Sequence, residues 1–167
     1  MTHLDYIERE AGKNAEFHLK DMECLNREAH ATLSFLFVVV SASFAGAVRL
    51  WQTSQFPERG WGLALFSLCL YLSLLAACIT RCCLMVEDVM PPSNEPENLK
   101  LQEGFVSEQI REAELGNLQK RIDFNAARNE RVGDRLNRVR LLICASPVVF
   151  LLVALAVFVI LRGAGYA

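Results

Sequence analysis

The stretch that decides the fold is Leu141–Leu161, LLICASPVVFLLVALAVFVIL. It contains twenty-one residues and no charged side chain. As an α-helix it would be roughly 31 Å long, which matches the hydrocarbon thickness of a bilayer. A helix in the core of a soluble domain is rarely apolar on all sides over such a length. The stretch therefore predicts a membrane-spanning helix, and with it an integral membrane protein.

Two further apolar segments precede this one. Residues 31–50 read ATLSFLFVVVSASFAGAVRL, and residues 60–80 read GWGLALFSLCLYLSLLAACIT. The connection between them is short, and Trp51 and Trp61 bracket it, which is typical of indole rings at a water–lipid interface. A connection of this length predicts that residues 31–80 form an antiparallel transmembrane hairpin.

The rest of the chain is charged and has helical periodicity. Residues 1–30 repeat apolar side chains at steps of three and four, which predicts an amphipathic helix. Residues 81–98 contain three prolines and predict a linker, residues 99–140 return to a helical pattern, and residues 162–167 form a short tail. We therefore predict an all-α integral membrane protein with three transmembrane helices, an N-terminal amphipathic helix and a helical region between spans two and three.

The distribution of lysine and arginine predicts the orientation. Residues 1–31 contain 4 of these side chains, 49–59 contain 2, 81–140 contain 10, and the tail contains 1. The positive-inside rule then places the N-terminus and the region 81–140 in the cytoplasm, with the connection and the C-terminus outside. We expect a multi-pass protein of a bacterial inner (plasma) membrane.

Span one carries the residues that most directly suggest a function. Ala42 and Gly46 form a pair of small residues four apart, which allows close helix–helix packing in lipid or is ordinary membrane-helix composition. Ser41, Ala45 and Arg49 also follow steps of four. In an oligomer this face could line a pore whose outer ring of arginines favours anions. The alternative is that Arg49 simply extends to the lipid headgroups.

The helix before span three has a seam that resembles a coiled coil. Its members are Leu118, Ile122, Asn125, Asn129, Val132, Leu136 and Val139. Asparagine at such a seam costs stability but can fix register and oligomer number, so the pattern predicts a homo-oligomer. The alternative is a solvated helix that leans on its neighbours.

A basic cluster overlaps this seam. We single out Arg128, Arg131, Arg135 and Arg138, which lie in the last turns before span three. Guanidinium groups can bind the phosphates of a nucleotide or another anion, or the headgroups of anionic lipids. The third interpretation is a topology anchor whose charges pair with Asp123, Glu130 and Asp134.

Catalytic and cofactor signatures are absent from the sequence. It contains no Gly-rich phosphate loop, HExxH or GxSxG motif, and its three histidines all lie in the first thirty residues. The six cysteines lack the paired spacing of a zinc site. We therefore expect neither an enzyme nor a cofactor or metal. The net charge of −2 gives no expectation of binding to duplex nucleic acid.

The order of segments carries a resemblance. Residues 13–37, KNAEFHLKDMECLNREAHATLSFLF, lead into a short connection, a second span and a charged helix. This layout resembles small membrane effectors of bacterial anti-phage loci, of the SLATT and Pycsar types, although the third span departs from their two-span pattern. The resemblance implies an effector that oligomerises in the inner membrane. It would open a pore or disrupt the bilayer when its cytoplasmic helices sense a protein partner or a nucleotide signal.

Two other functions fit the same layout. One is a passive membrane-anchored interaction, assembly or immunity protein that forms no pore. The other is a holin-like lysis protein, for which the cytoplasmic region is larger than needed.

Overall fold

The structure, a computed structural model, describes residues 3–52, 58–85, 89–91 and 107–163. Within these ranges the chain forms four α-helices and no β-strand: α1 (His3–Gln52), α2 (Glu58–Ile79), α3 (Ser107–Cys144) and α4 (Ser146–Gly163). A π-helical turn, Thr80–Leu84, follows α2 directly. The predicted all-α class is confirmed for the described residues.

Three of these elements are long and apolar enough to cross a membrane: α1, α2 with its π-helical turn, and α4. Their number and order agree with the three predicted spans. The amphipathic segment 1–30 and span 31–50 are not separate helices, because α1 continues through both without a break. Most of the predicted linker 81–98 and residues 164–167 of the tail lie outside the described residues.

The chain divides into two compact units. The first contains residues 1–27 and 86–133, and the second contains residues 28–85 and 134–167. Helices α1 and α3 therefore each contribute residues to both units, whereas α2 and α4 belong to the second unit alone.

In the second unit, α1 and α2 form an antiparallel pair. The Cys69 thiol lies 3.8 Å from the carbonyl oxygen of Val40, and a Cβ added to Gly46 would lie 3.4 Å from Leu65. Nearer the connection, a Cβ on Gly62 would lie 3.3 Å from the carbonyl oxygen of Ala47. Residues later in α2 contact residues earlier in α1, so the two helices are antiparallel, as predicted.

Helix α4 packs on α2 through aromatic rings. The indole of Trp61 stacks on Phe150 at 6.1 Å between ring centroids and meets the edge of Phe158 at 5.2 Å. A Cβ on Gly60 would lie 3.3 Å from the Phe158 ring. A residue without a side chain at position 60 therefore allows a large ring on α4 to approach the backbone of α2.

The helix break before α4 occurs at Ala145, two residues before Pro147. Proline lacks the amide hydrogen that would bond to Ile143, and its ring clashes with that carbonyl in a continuous helix. Proline is tolerated in the first turn of a helix, which is where α4 places it. The chain therefore ends α3 at Cys144 and begins α4 at Ser146.

Tyr71 stabilises the chain beside this break. Its hydroxyl donates a hydrogen bond to the carbonyl oxygen of Leu142 at 2.9 Å, in the last turn of α3, where helix carbonyls lack intrahelical partners. We expect Tyr71→Phe to lower the free energy of unfolding by about 0.5–1.5 kcal/mol. Denaturant titration in detergent micelles measures it, with Tyr6→Phe, a change at an exposed ring, as the control. An equal loss in both variants would contradict this role.

Candidate functional site

The first candidate site is the face of α1 that points away from α2. Ser41, Ala42, Ala45 and Arg49 are all exposed in the second unit. The two small residues predicted as a packing pair have different environments, because Gly46 lies against Leu65 of α2 whereas Ala42 is exposed. Ala42 therefore belongs to the same open face as the three predicted pore-lining residues.

Helical geometry explains why this face stays open. At about 100° per residue, Ala45 lies roughly 160° around the helix from Ala47. Ala47 is 4% exposed and Leu36 is 0% exposed, so the packed side of α1 is centred near them. The small and polar side chains occupy the opposite side. We call this surface, made of Ser41, Ala42, Ala45 and Arg49, the open face of α1.

A groove of about 400 Å³ lies beside this face, between α1 and α2. Its walls are Phe44, Ala47, Val48, Trp51, Gln52, Gly62, Leu63 and Phe66. Apart from the Gln52 amide, these side chains offer no group that could act as an acid, a base or a metal ligand. The groove therefore suits an apolar chain and not a reaction.

The second candidate site is the asparagine-containing seam of α3. In the first unit, the side chain of Asn125 forms two hydrogen bonds with the backbone of Met90. Its Nδ2 donates to the Met90 carbonyl oxygen at 3.0 Å, and its Oδ1 accepts from the Met90 backbone N–H at 3.3 Å. The Asn129 amide donates to the carbonyl of His18 at 2.7 Å and to the carboxylate of Asp21 at 3.2 Å. Both asparagines are buried, and their partners are residues of the same chain.

The apolar seam residues are buried as well. Ile122 and Val132 are each 3% exposed in the first unit, and Leu136 is 1% exposed in the second, whereas Leu118 is half-buried. Within their units these side chains are buried by other residues of the same chain. A role of the seam in oligomerisation stays a prediction.

The four arginines predicted to bind an anion differ in their exposure. Arg128 is buried and Arg135 is half-buried, whereas Arg131 and Arg138 are exposed. Arg135 donates from Nη1 to the carbonyl oxygen of Cys82 at 3.2 Å, within the π-helical turn that follows α2. A cation at the C-terminal end of a helix is favourable because the last carbonyls carry partial negative charge. The structure thus gives Arg135 a partner within the protein.

Arg111 forms an ion-pair cluster that no pattern in the sequence predicts. In the first unit it donates two hydrogen bonds to the Glu8 carboxylate, at 2.7 and 2.6 Å, and one to Asp5 at 2.7 Å. These contacts join α3 to the first turns of α1. The sequence does contain two acidic residues three positions apart in α1, Asp5 and Glu8, which could accept from a cation. It does not identify which of the seventeen lysine and arginine residues faces them.

This cluster predicts a dependence of stability on pH. The hydrogen bonds from Arg111 lower the pKa of Glu8 below its ordinary value of 4.5. A carboxyl with a lower pKa in the folded state stabilises the fold fully above its unfolded pKa and loses that contribution as pH falls through the folded pKa. We therefore expect Arg111→Gln to make the loss of stability below about pH 4.5 shallower.

Unfolding titrations between about pH 7 and pH 3 measure this slope, and the effect should shrink in high salt because the side chains are about two-fifths exposed. Lys13→Gln is the matched control. It removes the ion pair with Glu10, whose pKa is also lowered, but that pair lies within α1 alone. If both variants keep the wild-type slope, the Arg111 cluster does not contribute to acid sensitivity.

Metal-binding groups of three or more histidine, cysteine or acidic side chains do not occur in the part of the chain that the structure describes. Comparison with protein-family models, with curated proteins and with solved structures finds no match for the chain. The resemblance to anti-phage membrane effectors therefore stays a prediction from the layout of the sequence.

Proposed function

We propose that the protein is an oligomeric membrane effector, of a bacterial defence system, that forms a pore in or disrupts the inner membrane. The observation that carries the proposal is the open face of α1. It presents Ser41, Ala45 and Arg49 on the side of the helix opposite Leu36 and Ala47. A helix that only faced lipid would gain nothing from small and polar side chains there.

Small residues let helices approach closely in lipid, where association depends on packing and hydrogen bonds. When several copies bring their open faces together, the hydroxyl of Ser41 faces the centre and the arginines form a ring at one end. Such a ring lowers the energy of an anion at the mouth of a pore and raises that of a cation. In the proposed topology Arg49 lies at the outer mouth.

The trigger that we favour is a protein partner in the cytoplasm. The first unit exposes large apolar rings, with Phe17 62% and Tyr6 52% exposed. A nucleotide signal has less support, because Arg128 is buried and Arg135 bonds to a backbone carbonyl. Aromatic side chains on an accessible helix are typical anchors of protein interfaces.

The same exposed rings favour the second candidate function. A passive membrane-anchored interaction, assembly or immunity protein would also need an apolar cytoplasmic surface. It would not need the open face of α1. The two functions therefore differ in the effect of changes at Ser41.

The test is the membrane potential of bacteria after induced expression, alone and with neighbouring genes, reported by a voltage-sensitive dye. We expect rapid depolarisation that Ser41→Leu abolishes, because a leucine at that position blocks the close approach of helices and narrows the pore. The matched control is Ser73→Leu, at an exposed position of α2. Unchanged potential in every combination, with the protein confirmed in the membrane, would refute the pore.

A further inference from the structure

The end of α2 contains a pair of thiols that the proposed function does not use. The Sγ atoms of Cys78 and Cys82 lie 3.9 Å apart. Cys78 is exposed and Cys82 is half-buried, so the pair is accessible. It differs in this respect from Cys69 and Cys83, which are both buried.

Local structure holds the two sulfur atoms together. Cys78 lies in the last turn of α2, and Cys82 lies in the π-helical turn that continues it. Side chains four residues apart share one face of a helix. The carbonyl of Cys82 accepts the hydrogen bond from Arg135 at 3.2 Å, which fixes the backbone of the turn against α3.

We propose that Cys78 and Cys82 form a binding site for a soft monovalent metal ion of the Cu(I) class. Thiolates are the ligands that such ions select. The two sulfur atoms lie 3.9 Å apart, close enough for one ion to contact both after a small rotation of the side chains. Zinc fits less well, because a structural zinc site needs four ligands and this site supplies two.

Charge also suits this ion. Each thiol releases its proton to solvent as its sulfur binds the metal. A monovalent ion between two thiolates leaves one negative charge. The guanidinium of Arg135, which bonds to the backbone carbonyl of Cys82, brings a positive charge to the same turn. In the proposed topology the pair lies at the cytoplasmic end of span two, where soft ions are accessible without crossing the bilayer. The inference does not depend on the pore.

The experiment is a competition for Cu(I) between the full-length protein in detergent and a coloured Cu(I) chelator, under a reductant. We expect the wild type to take about one ion per chain from the chelator, and Cys78→Ser and Cys82→Ser each to lose this binding. The matched controls are Cys24→Ser and Cys144→Ser, at thiols outside the pair. X-ray absorption should then show two sulfur neighbours in the wild-type complex.

The proposal is overturned if the wild type takes no ion, or if Cys24→Ser or Cys144→Ser lowers binding as much as Cys78→Ser does. It is also overturned if mass spectrometry of the reduced protein finds either thiol of the pair acylated. Circular dichroism of each variant checks that the helices are intact. Depolarisation measured on the same variants keeps the two proposals separable, because we expect Cys78→Ser to leave it unchanged.

Discussion

Replacing Gly62 with leucine is expected to destabilise the hairpin of α1 and α2 by about 3 kcal/mol. A Cβ at this position would lie 3.3 Å from the carbonyl oxygen of Ala47 and 3.4 Å from the backbone nitrogen of Trp51. Both are backbone atoms of α1, which cannot move aside as a flexible side chain can. The rest of the leucine side chain must therefore push α1 away from α2 along their closest approach.

This separation would also reduce contacts further along the pair. The Cys69 thiol would move away from the carbonyl of Val40, and Leu65 would lose its contact with Gly46. Helix association in lipid lacks a hydrophobic driving force and depends on such packing. The loss in stability should therefore exceed the intrinsic effect of glycine in a helix, which alone would favour the substituted chain.

The measurement is the free energy of unfolding in detergent micelles, with Gly116→Ala and Gly12→Ala as controls. Both controls lie in helices, and a Cβ there would meet no atom within 4 Å. They should be stabilised by roughly 0.5–1 kcal/mol, because alanine loses less backbone entropy on folding than glycine. If Gly62→Leu has the same free energy of unfolding as the wild type, the close approach of α1 and α2 at Gly62 is contradicted.

The three helices that are long and apolar enough to cross a membrane could be predicted, because length and composition alone identify them. The length of Leu141–Leu161 and its absence of charge predicted a membrane-spanning helix. Trp51 and Trp61 predicted the ends of the connection between the first two helices. A proline alone does not fix the residue at which a helix breaks, since it disturbs the preceding turn as well as its own position. The structure accordingly places the break at Ala145.

The packing partners could not be predicted. Periodicity identified the face of α3 that contains Asn125 and Asn129, but a buried face does not reveal what covers it. The partners, Met90 and His18, are distant in sequence, and one alternative was a second copy of the chain. The partners of Arg111 could not be predicted either, because an ion pair between two helices produces no periodic pattern in the sequence of either helix.

Inverting the charge at Arg49 is expected to reverse the selectivity of the proposed pore. An arginine ring at the mouth favours anions, and a glutamate ring at the same place favours cations. A change of about 1.4 kcal/mol in the relative energies of the two ions alters their permeability ratio tenfold. We expect Arg49→Glu to shift the ratio of chloride to potassium permeability by about tenfold or more, measured as the reversal potential in planar bilayers.

The matched control is Arg162→Glu, which inverts a charge at the end of α4. Arg162 is exposed and lies on the same side of the membrane as Arg49 in the proposed topology, but it is not on the open face of α1. A general change in surface potential would shift both variants equally, and high salt would suppress it. A pore lined by the open face requires a large shift in Arg49→Glu and a small one in Arg162→Glu. Equal shifts of the permeability ratio in the two variants would show that the conduction pathway does not run along the open face of α1. Arg49 would then extend to the lipid headgroups, as in the alternative interpretation.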